Sequence, residues 1–352
     1  MTRRPAGDAV VTGIGVVCPG ARVAADLGPG RPGRAEADGW FDARSELGRG
    51  HKYLPPAGQY LLAASRRALA DAAAWSRGLC EEALGAAVGT NSAASALHDT
   101  MDRTVIQGHA DELSPATAPF FSINLFSSSL STQHGLKGFN LTVTTPRIAG
   151  LEAAEVGLRA LRLGRCSALL AGATEAPATP AEAPAAYPEA GSAVLLFEGR
   201  EAALARGATI YGSCRVRTCF LPPRLLATAD GRRMAGEVLG RALAQLGCRP
   251  KPLRVHLELD ASLVGATVLG CLARLGYGTE GAGAAEPGAG CLEPVLRLTH
   301  LLAVADEQLV SVTAAASGHV ALAWLCPWPQ PSATDVPPPA VVVGAGSSEE
   351  RC

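Results

Sequence analysis

Ten cysteines run from Cys18 to Cys352 without a Cys-x-x-Cys pair and without a histidine at ligand spacing, so no metal site is expected from them. They are expected as reduced, buried thiols, because a chain of this length without a secretion signal is assigned to the cytoplasm. Gly13 and Gly15 open a dinucleotide fingerprint whose third glycine is missing, which argues against a nicotinamide cofactor. No Gly-x-Ser-x-Gly elbow is present for a Ser/His/Asp hydrolase. Of the histidines, His256 falls inside an apolar strand and is expected to be structural, and His300 lies along a helix as a packed or surface residue. Cys166 and His319 are the residues that an unrecognised acyl-transfer or hydrolytic chemistry would use. The remaining feature is Thr145-Pro146-Arg147-Ile148-Ala149-Gly150, a strand-to-helix turn with Arg147 against the positive end of the helix dipole. That placement costs about 0.5 kcal/mol unless a carboxylate faces the guanidinium, and Glu152, Glu155 and Glu175 are the expected partners.

The elements that must position these residues alternate. Strands are expected at 9–17, 83–90, 140–145, 167–171, 192–197, 209–216, 253–259, 309–313 and 320–325, with helices at 59–76, 149–163, 234–246, 263–275 and 292–305. Residues 20–50 and 108–118 are expected to be irregular, and Asn91 or Ser92 to cap a helix that follows. The βαβ rhythm runs through both halves and predicts two similar α/β units, 1–200 and a shortened 201–326, followed by a Pro-rich flexible tail at 327–352.

With 352 residues, 48% of them hydrophobic, the chain can bury a large core. The formal net charge of -1 provides no global field for nucleic acid or an anionic membrane surface, so neither is an expected partner. No apolar stretch is long and uninterrupted enough to span a bilayer.

Four segments in order resemble the β-ketoacyl synthase family of the thiolase superfamily: AVVTGIGVVCPG at 9–20, HGLKGFNLTVTT at 134–145, ALLAGATEA at 168–176 and GSAVLLFEGREAALARGATIYG at 191–212. The resemblance implies a five-layered αβαβα thiolase fold that dimerises through a central strand. It also implies a thiolate at a helix N-terminus in a Thr-Ala-Cys-x-x-Gly turn, where dipole and free N–H groups lower its pKa, with two histidines to stabilise the oxyanion. Arg147 stands at the nucleophile position and cannot attack a thioester, because its guanidinium stays protonated. The first histidine loop is absent after Val255-His256-Leu257-Glu258-Leu259-Asp260-Ala261, and positions 281–291, with Glu286-Pro287-Gly288-Ala289-Gly290, hold no histidine of the second. The glycine-rich loop before the last strand reads Thr313-Ala314-Ala315-Ala316-Ser317-Gly318-His319.

Loss of all these elements together implies a subunit with no catalytic residue of its own. The resemblance is to the chain length factor of type II polyketide synthases, the bacterial ketosynthase β subunit that pairs with a catalytic ketosynthase as a heterodimer or heterotetramer. Such a subunit shapes the acyl-chain tunnel in polyketide or polyene synthesis. It binds no cofactor directly; the substrate arrives on the phosphopantetheine of an acyl carrier protein. The position of Arg147 usually carries glutamine in that subfamily. Met101, Phe120, Phe121, Asn124, Thr145 and Arg147 are the expected tunnel and interface residues, and Arg159, Arg162 and Arg165 form a basic row that reads first as a solvated helix face, with carrier docking as the alternative. Two alternatives remain: an independent acyltransferase or hydrolase in a degenerate pocket, and a carrier-binding module without a catalytic partner.

Overall fold

The computed structural model describes residues 8–328 apart from 29–33, 35–38, 74, 76–78, 92–93, 116, 118, 120–121, 178–187, 249–252, 279–287 and 289. The first half comprises β1 (Ala9–Val17), α1 (Ala43–Leu47), α2 (Pro56–Asp71), β2 (Leu84–Gly89), α3 (Ser95–Gln107), α4 (Leu125–His134), β3 (Asn140–Val143), α5 (Ala149–Arg162), β4 (Ala168–Glu175) and β5 (Gly191–Gly199). After α6 (Arg200–Ala205) the second half comprises β6 (Gly212–Phe220), α7 (Ala229–Leu246), β7 (Arg254–Leu259), α8 (Leu263–Arg274), α9 (Leu292–Val304), β8 (Leu309–Ala314) and β9 (His319–Pro327).

The strands form one hydrogen-bonded series, β3-β2-β4-β5-β1-β6-β9-β8-β7. Its seam lies where β1 meets β6 through the pairs Val10–Ser213 and Val11–Gly212. On either side the pattern repeats. β2 runs parallel to β4, which pairs antiparallel with β5 and then β1, while β7 runs parallel to β8, which pairs antiparallel with β9 and then β6. Among the described residues, β3 has no counterpart beyond β7, so the second half is the shorter one.

Burial patterns assign the helices to layers, because a helix between two sheets must be apolar nearly all round and one on the outside only along a stripe. α5 buries nine of its fourteen residues, and α9 buries every residue from Leu292 to Thr299. These two helices pack on each other and between the sheets; α2 and α4 cover the first sheet outside, and α7 and α8 the second. The result is the five-layered α/β thiolase-like architecture. Gly13 and Gly15, which resembled part of a nucleotide fingerprint, let α2 lie directly on β1: a Cβ at either would stand 2.2 or 1.9 Å from the carbonyl oxygen of Ala68 or Ala64.

Several expected boundaries move. The 59–76 helix ends at Asp71, the 234–246 helix begins five residues earlier with Thr228 as its cap, and the 209–216 strand begins at Gly212. Residues 20–50 contain the short helix α1, capped by Asp42, and α4 occupies a stretch for which the sequence pattern predicts no element. Ala94, not Asn91, is the N-cap of α3, without a side-chain hydrogen bond. Ser92, Phe120, Phe121 and the 329–352 portion of the expected tail lie outside the described residues. Among those described, no helix is long and apolar enough to cross a membrane.

Candidate functional site

The C-terminal ends of β2, β3 and β4 converge on the turn that starts α5. Arg147 sits there with φ +62°, a left-handed conformation that costs an arginine about 1 kcal/mol and turns its side chain inward. Asn91 braces this turn. With its amide oriented so that each atom meets a complementary group, it donates to the carbonyls of Thr144 (3.0 Å), Thr90 (3.2 Å) and Thr145 (3.3 Å) and accepts from Arg147 N (3.1 Å). The close packing of α5 follows from glycine. A Cβ on Gly150 would lie 2.4 Å from Val295 Cγ2 and 2.7 Å from Ala173 Cβ, so Gly150→Ala is expected to cost about 1–3 kcal/mol by overpacking, read as a lower midpoint in urea unfolding.

Arg147 is 6% exposed and its Nη2 lies 3.6 Å from Glu293 Oε2, on the first turn of α9. This corrects the expected partners. Glu152 instead accepts a short hydrogen bond from Thr145 Oγ1. Glu155 faces the other way, to Arg217 (3.1 Å) and to the N–H and hydroxyl of Thr218 (2.7 and 2.6 Å). Glu175 accepts from Asn91 N (2.7 Å) and Cys291 N (3.0 Å), tying the ends of β2 and β4 to the start of α9. Arg147 Nε and Nη1 are buried without a hydrogen-bond partner among the described residues.

A second carboxylate layer surrounds the pair. Glu189 Oε2 accepts from Leu292 N (2.8 Å) at the N-terminus of α9, where the dipole favours negative charge. Burial, followed by the charges of Glu175 and Glu293, nevertheless pushes the Glu189 carboxyl up to about 8. From the second sheet, Glu258 lies 3.6 Å from His256 Nε2 and 3.7 Å from Arg297 Nε, and accepts from Thr313 Oγ1 (3.2 Å). Burial alone would raise Glu258. The neighbouring His256, with the charges of Arg147 and Arg297, outweighs it and holds the carboxyl below its ordinary value. The thiol at this turn, Cys291, is pushed well above its ordinary value by burial and by Glu175 and Glu189, which keeps it protonated and unreactive.

The other sequence-singled residues scatter. Thr145 shares the turn with Arg147, whereas Met101 is buried on α3 and Asn124 is exposed at the start of α4. Cys166 is buried before β4, at the opposite end of that strand from Glu175. His319 shares an exposed turn with Ser317, Nδ1 to Oγ 3.0 Å, and His300 Nδ1 meets Ala24 O at 3.1 Å. Sequence reasoning missed Asn91 as a brace, and Glu189, Glu258, Glu293, Arg297 and Cys291 as site residues. The Glu-Pro-x-x-Arg stretch at 293–297 was the available signal, two charged residues inside an otherwise apolar helix.

Residues 33–209, half of the chain, match the family described as "Beta-ketoacyl synthase, N-terminal domain". The chain belongs to the β-ketoacyl synthase family. Among curated proteins this family member is 26% identical over 241 residues to 3-oxoacyl-(acyl-carrier-protein) synthase 2 of Synechocystis sp., covering 60% of this chain and 58% of the relative. The enzyme of the same name from Vibrio cholerae is 28% identical over 122 residues, 35% of this chain and 30% of the relative. The matches thus span less than two thirds of either relative's length. Similar solved structures include a type II polyketide synthase acyl-carrier protein in complex with its ketosynthase bound to the hexaketide, with TM-score 0.72, 16% identity, and 92% and 100% of the two chains covered. The ishigamide ketosynthase/chain length factor follows at 0.71, 21% identity, and 91% and 99%. At these identities the structural likeness concerns the ketosynthase fold.

Proposed function

We propose that this chain is a non-catalytic, chain-length-factor type subunit that pairs with an active ketosynthase in the bacterial cytoplasm. It would shape the tunnel for a polyketide or polyene chain carried on phosphopantetheine by an acyl carrier protein. The observation that carries this reading is Arg147. Where the family resemblance puts the nucleophile, the left-handed turn holds a buried guanidinium resting on Glu293, and the adjacent thiol of Cys291 is held protonated. A protonated guanidinium among carboxylates supplies neither a nucleophile nor a base for condensation.

Pairing has support in β3. It closes one end of the strand series with β2 as its only strand neighbour among the described residues, which leaves an unpaired edge that another subunit's strand would complete. Two structural neighbours, a ketosynthase/chain length factor and a ketosynthase with its carrier protein, agree with a subunit of this class. Neither alternative gains a specific observation. Cys166 is buried far from the Arg147 turn, and the Ser317–His319 pair lies in an exposed turn.

The deciding experiment is co-expression with a ketosynthase that keeps its Cys-His-His set, followed by size-exclusion chromatography and a condensation assay. A co-eluting pair that condenses, beside an isolated chain that does not, is the expected result; condensation by the isolated chain overturns it. In the active pair, Met101→Gly, or the same change at Phe120, Phe121 or Asn124, is expected to lengthen the products by at least one extension unit in mass spectra. Unchanged product length for all four variants removes the tunnel assignment.

A further inference from the structure

The last turn of α5 carries Arg162, which lines a narrow cleft of about 40 Å³ together with Arg215 and Arg217 of β6. The cleft sits beside the seam where β1 meets β6, and Asp8 and the end of α7 at Gln245 and Leu246 complete its wall. Two of the three guanidiniums are anchored. Arg215 Nη2 lies 2.7 Å from Asp8 Oδ1, its Nη1 donates to Leu246 O at 3.4 Å, and its guanidinium stacks 5.0 Å from the ring centre of Trp324. Arg217 Nη1 lies 3.1 Å from Glu155 Oε1. The other oxygen of Glu155 accepts from the N–H and the hydroxyl of Thr218, so this carboxylate is fully engaged.

Arg162 has no such partner. Among the described residues no carboxylate pairs with it, and three guanidiniums share a cleft whose wall holds the single carboxylate of Asp8. The crowding shows in its proton affinity: partial burial, then the charges of Arg217, Arg215 and Arg159, outweigh Glu155 and lower the Arg162 pKa. A cation in the last turn of a helix is favoured by the helix dipole, which accounts for an arginine at 162. It does not account for Arg215 and Arg217, which stand on a strand and converge on the same cleft. Guanidinium forks match the oxygens of a tetrahedral oxyanion, and about 40 Å³ has room for one such ion and for little more.

We propose that this cleft binds a free phosphate-class oxyanion, held by Arg162, Arg215 and Arg217, which staples the end of α5 to β6 beside the seam of the two halves. The site is independent of the chain-length-factor reading. Arg162 ends the helix that Arg147 precedes, and the fifteen residues between them span about 22 Å, so the anion sits far from the Arg147 turn. Of the basic row Arg159, Arg162 and Arg165, only Arg162 lines the cleft.

The test follows the thermal midpoint of the full chain as inorganic phosphate is added to a sulfate-free buffer, against sodium chloride at equal ionic strength, with calorimetry for affinity and stoichiometry. A rise with phosphate that chloride does not reproduce, at one site per chain, is the expected result. Arg162→Gln is expected to weaken phosphate binding by about tenfold or more. Arg162 is exposed and unpaired, so this variant keeps the fold, and its midpoint in phosphate-free buffer checks that directly. Arg165→Gln, outside the cleft, is expected to respond like wild type. Free 4′-phosphopantetheine, whose tail needs room beyond the cleft, is expected to bind more weakly than inorganic phosphate, and tighter binding overturns the assignment to a free anion. Equal midpoints in phosphate and chloride, or a full phosphate response in Arg162→Gln, overturn the site and leave Arg162 to the α5 dipole alone.

Discussion

Replacing Arg147 with methionine is expected to destabilise the chain by about 3 kcal/mol, because it removes the cation facing Glu293 and one of the two guanidinium charges that favour ionised Glu258. The pair itself is not a large source of stability. Among the described residues Arg147 Nε and Nη1 are buried without hydrogen-bond partners, and the guanidinium lies 3.6 Å from its carboxylate, so much of the Coulomb gain offsets desolvation. Arg147→Met combined with Glu293→Gln is accordingly expected to recover most of the loss, a coupling that a double-mutant cycle in urea measures directly. Arg147→Gly separates the backbone contribution, since glycine accepts φ +62° without strain and should be about 1 kcal/mol more stable than Arg147→Ala. A urea midpoint for Arg147→Met equal to wild type would show that the guanidinium does not neutralise this cluster.

The second large effect is on pH dependence. Glu189 has an ordinary value of 4.5 when exposed and is pushed up to about 8 in the fold, first by burial and then by Glu175 and Glu293. Between these values the folded chain holds a proton that the unfolded chain releases. The contribution of this group to stability is therefore complete below about pH 4.5 and declines by about 1.4 kcal/mol per pH unit until about pH 8. Glu189→Gln retains an oxygen to accept from Leu292 N and carries no charge, so it is expected to flatten that slope and to stabilise the chain by several kcal/mol at pH 8. Thermal midpoints of both proteins from pH 5 to 9 give the comparison. Parallel profiles would mean that Glu189 is ionised throughout.

Much of the fold was legible because its signals are local. The continuous apolar runs of β4 and β5 and the small, apolar faces of α5 and α9 declare buried strands and interlayer helices, and the alternation of the two yields the class. α4 was harder to see because its sequence, Leu-Phe-Ser-Ser-Ser-Leu-Ser-Thr-Gln-His, is dominated by serine, which carries little helical preference and no clear apolar stripe. There the helix is held by tertiary contacts, with Phe126 and Leu130 buried and Ser127 bonded to Asn140 across to β3. Asn91 likewise has the composition of a helix cap, but the ends of β2 and β3 bring it to the Arg147 turn before α3 begins.

The candidate site divides along the same line. By itself the sequence determined that Arg147 occupies a strand-to-helix turn and that a guanidinium there is no nucleophile, since each of these depends on residue type within a few positions. Only the tertiary structure decided what neutralises Arg147. The nearby Glu152 and Glu155 are turned toward Thr145 and Thr218, while Glu293, far along the chain, is delivered by the close packing of α5 on α9 through Gly150. Sequence distance sets which residues can share a helix face. Which carboxylate meets a buried cation is set by where two helix N-termini converge between the sheets.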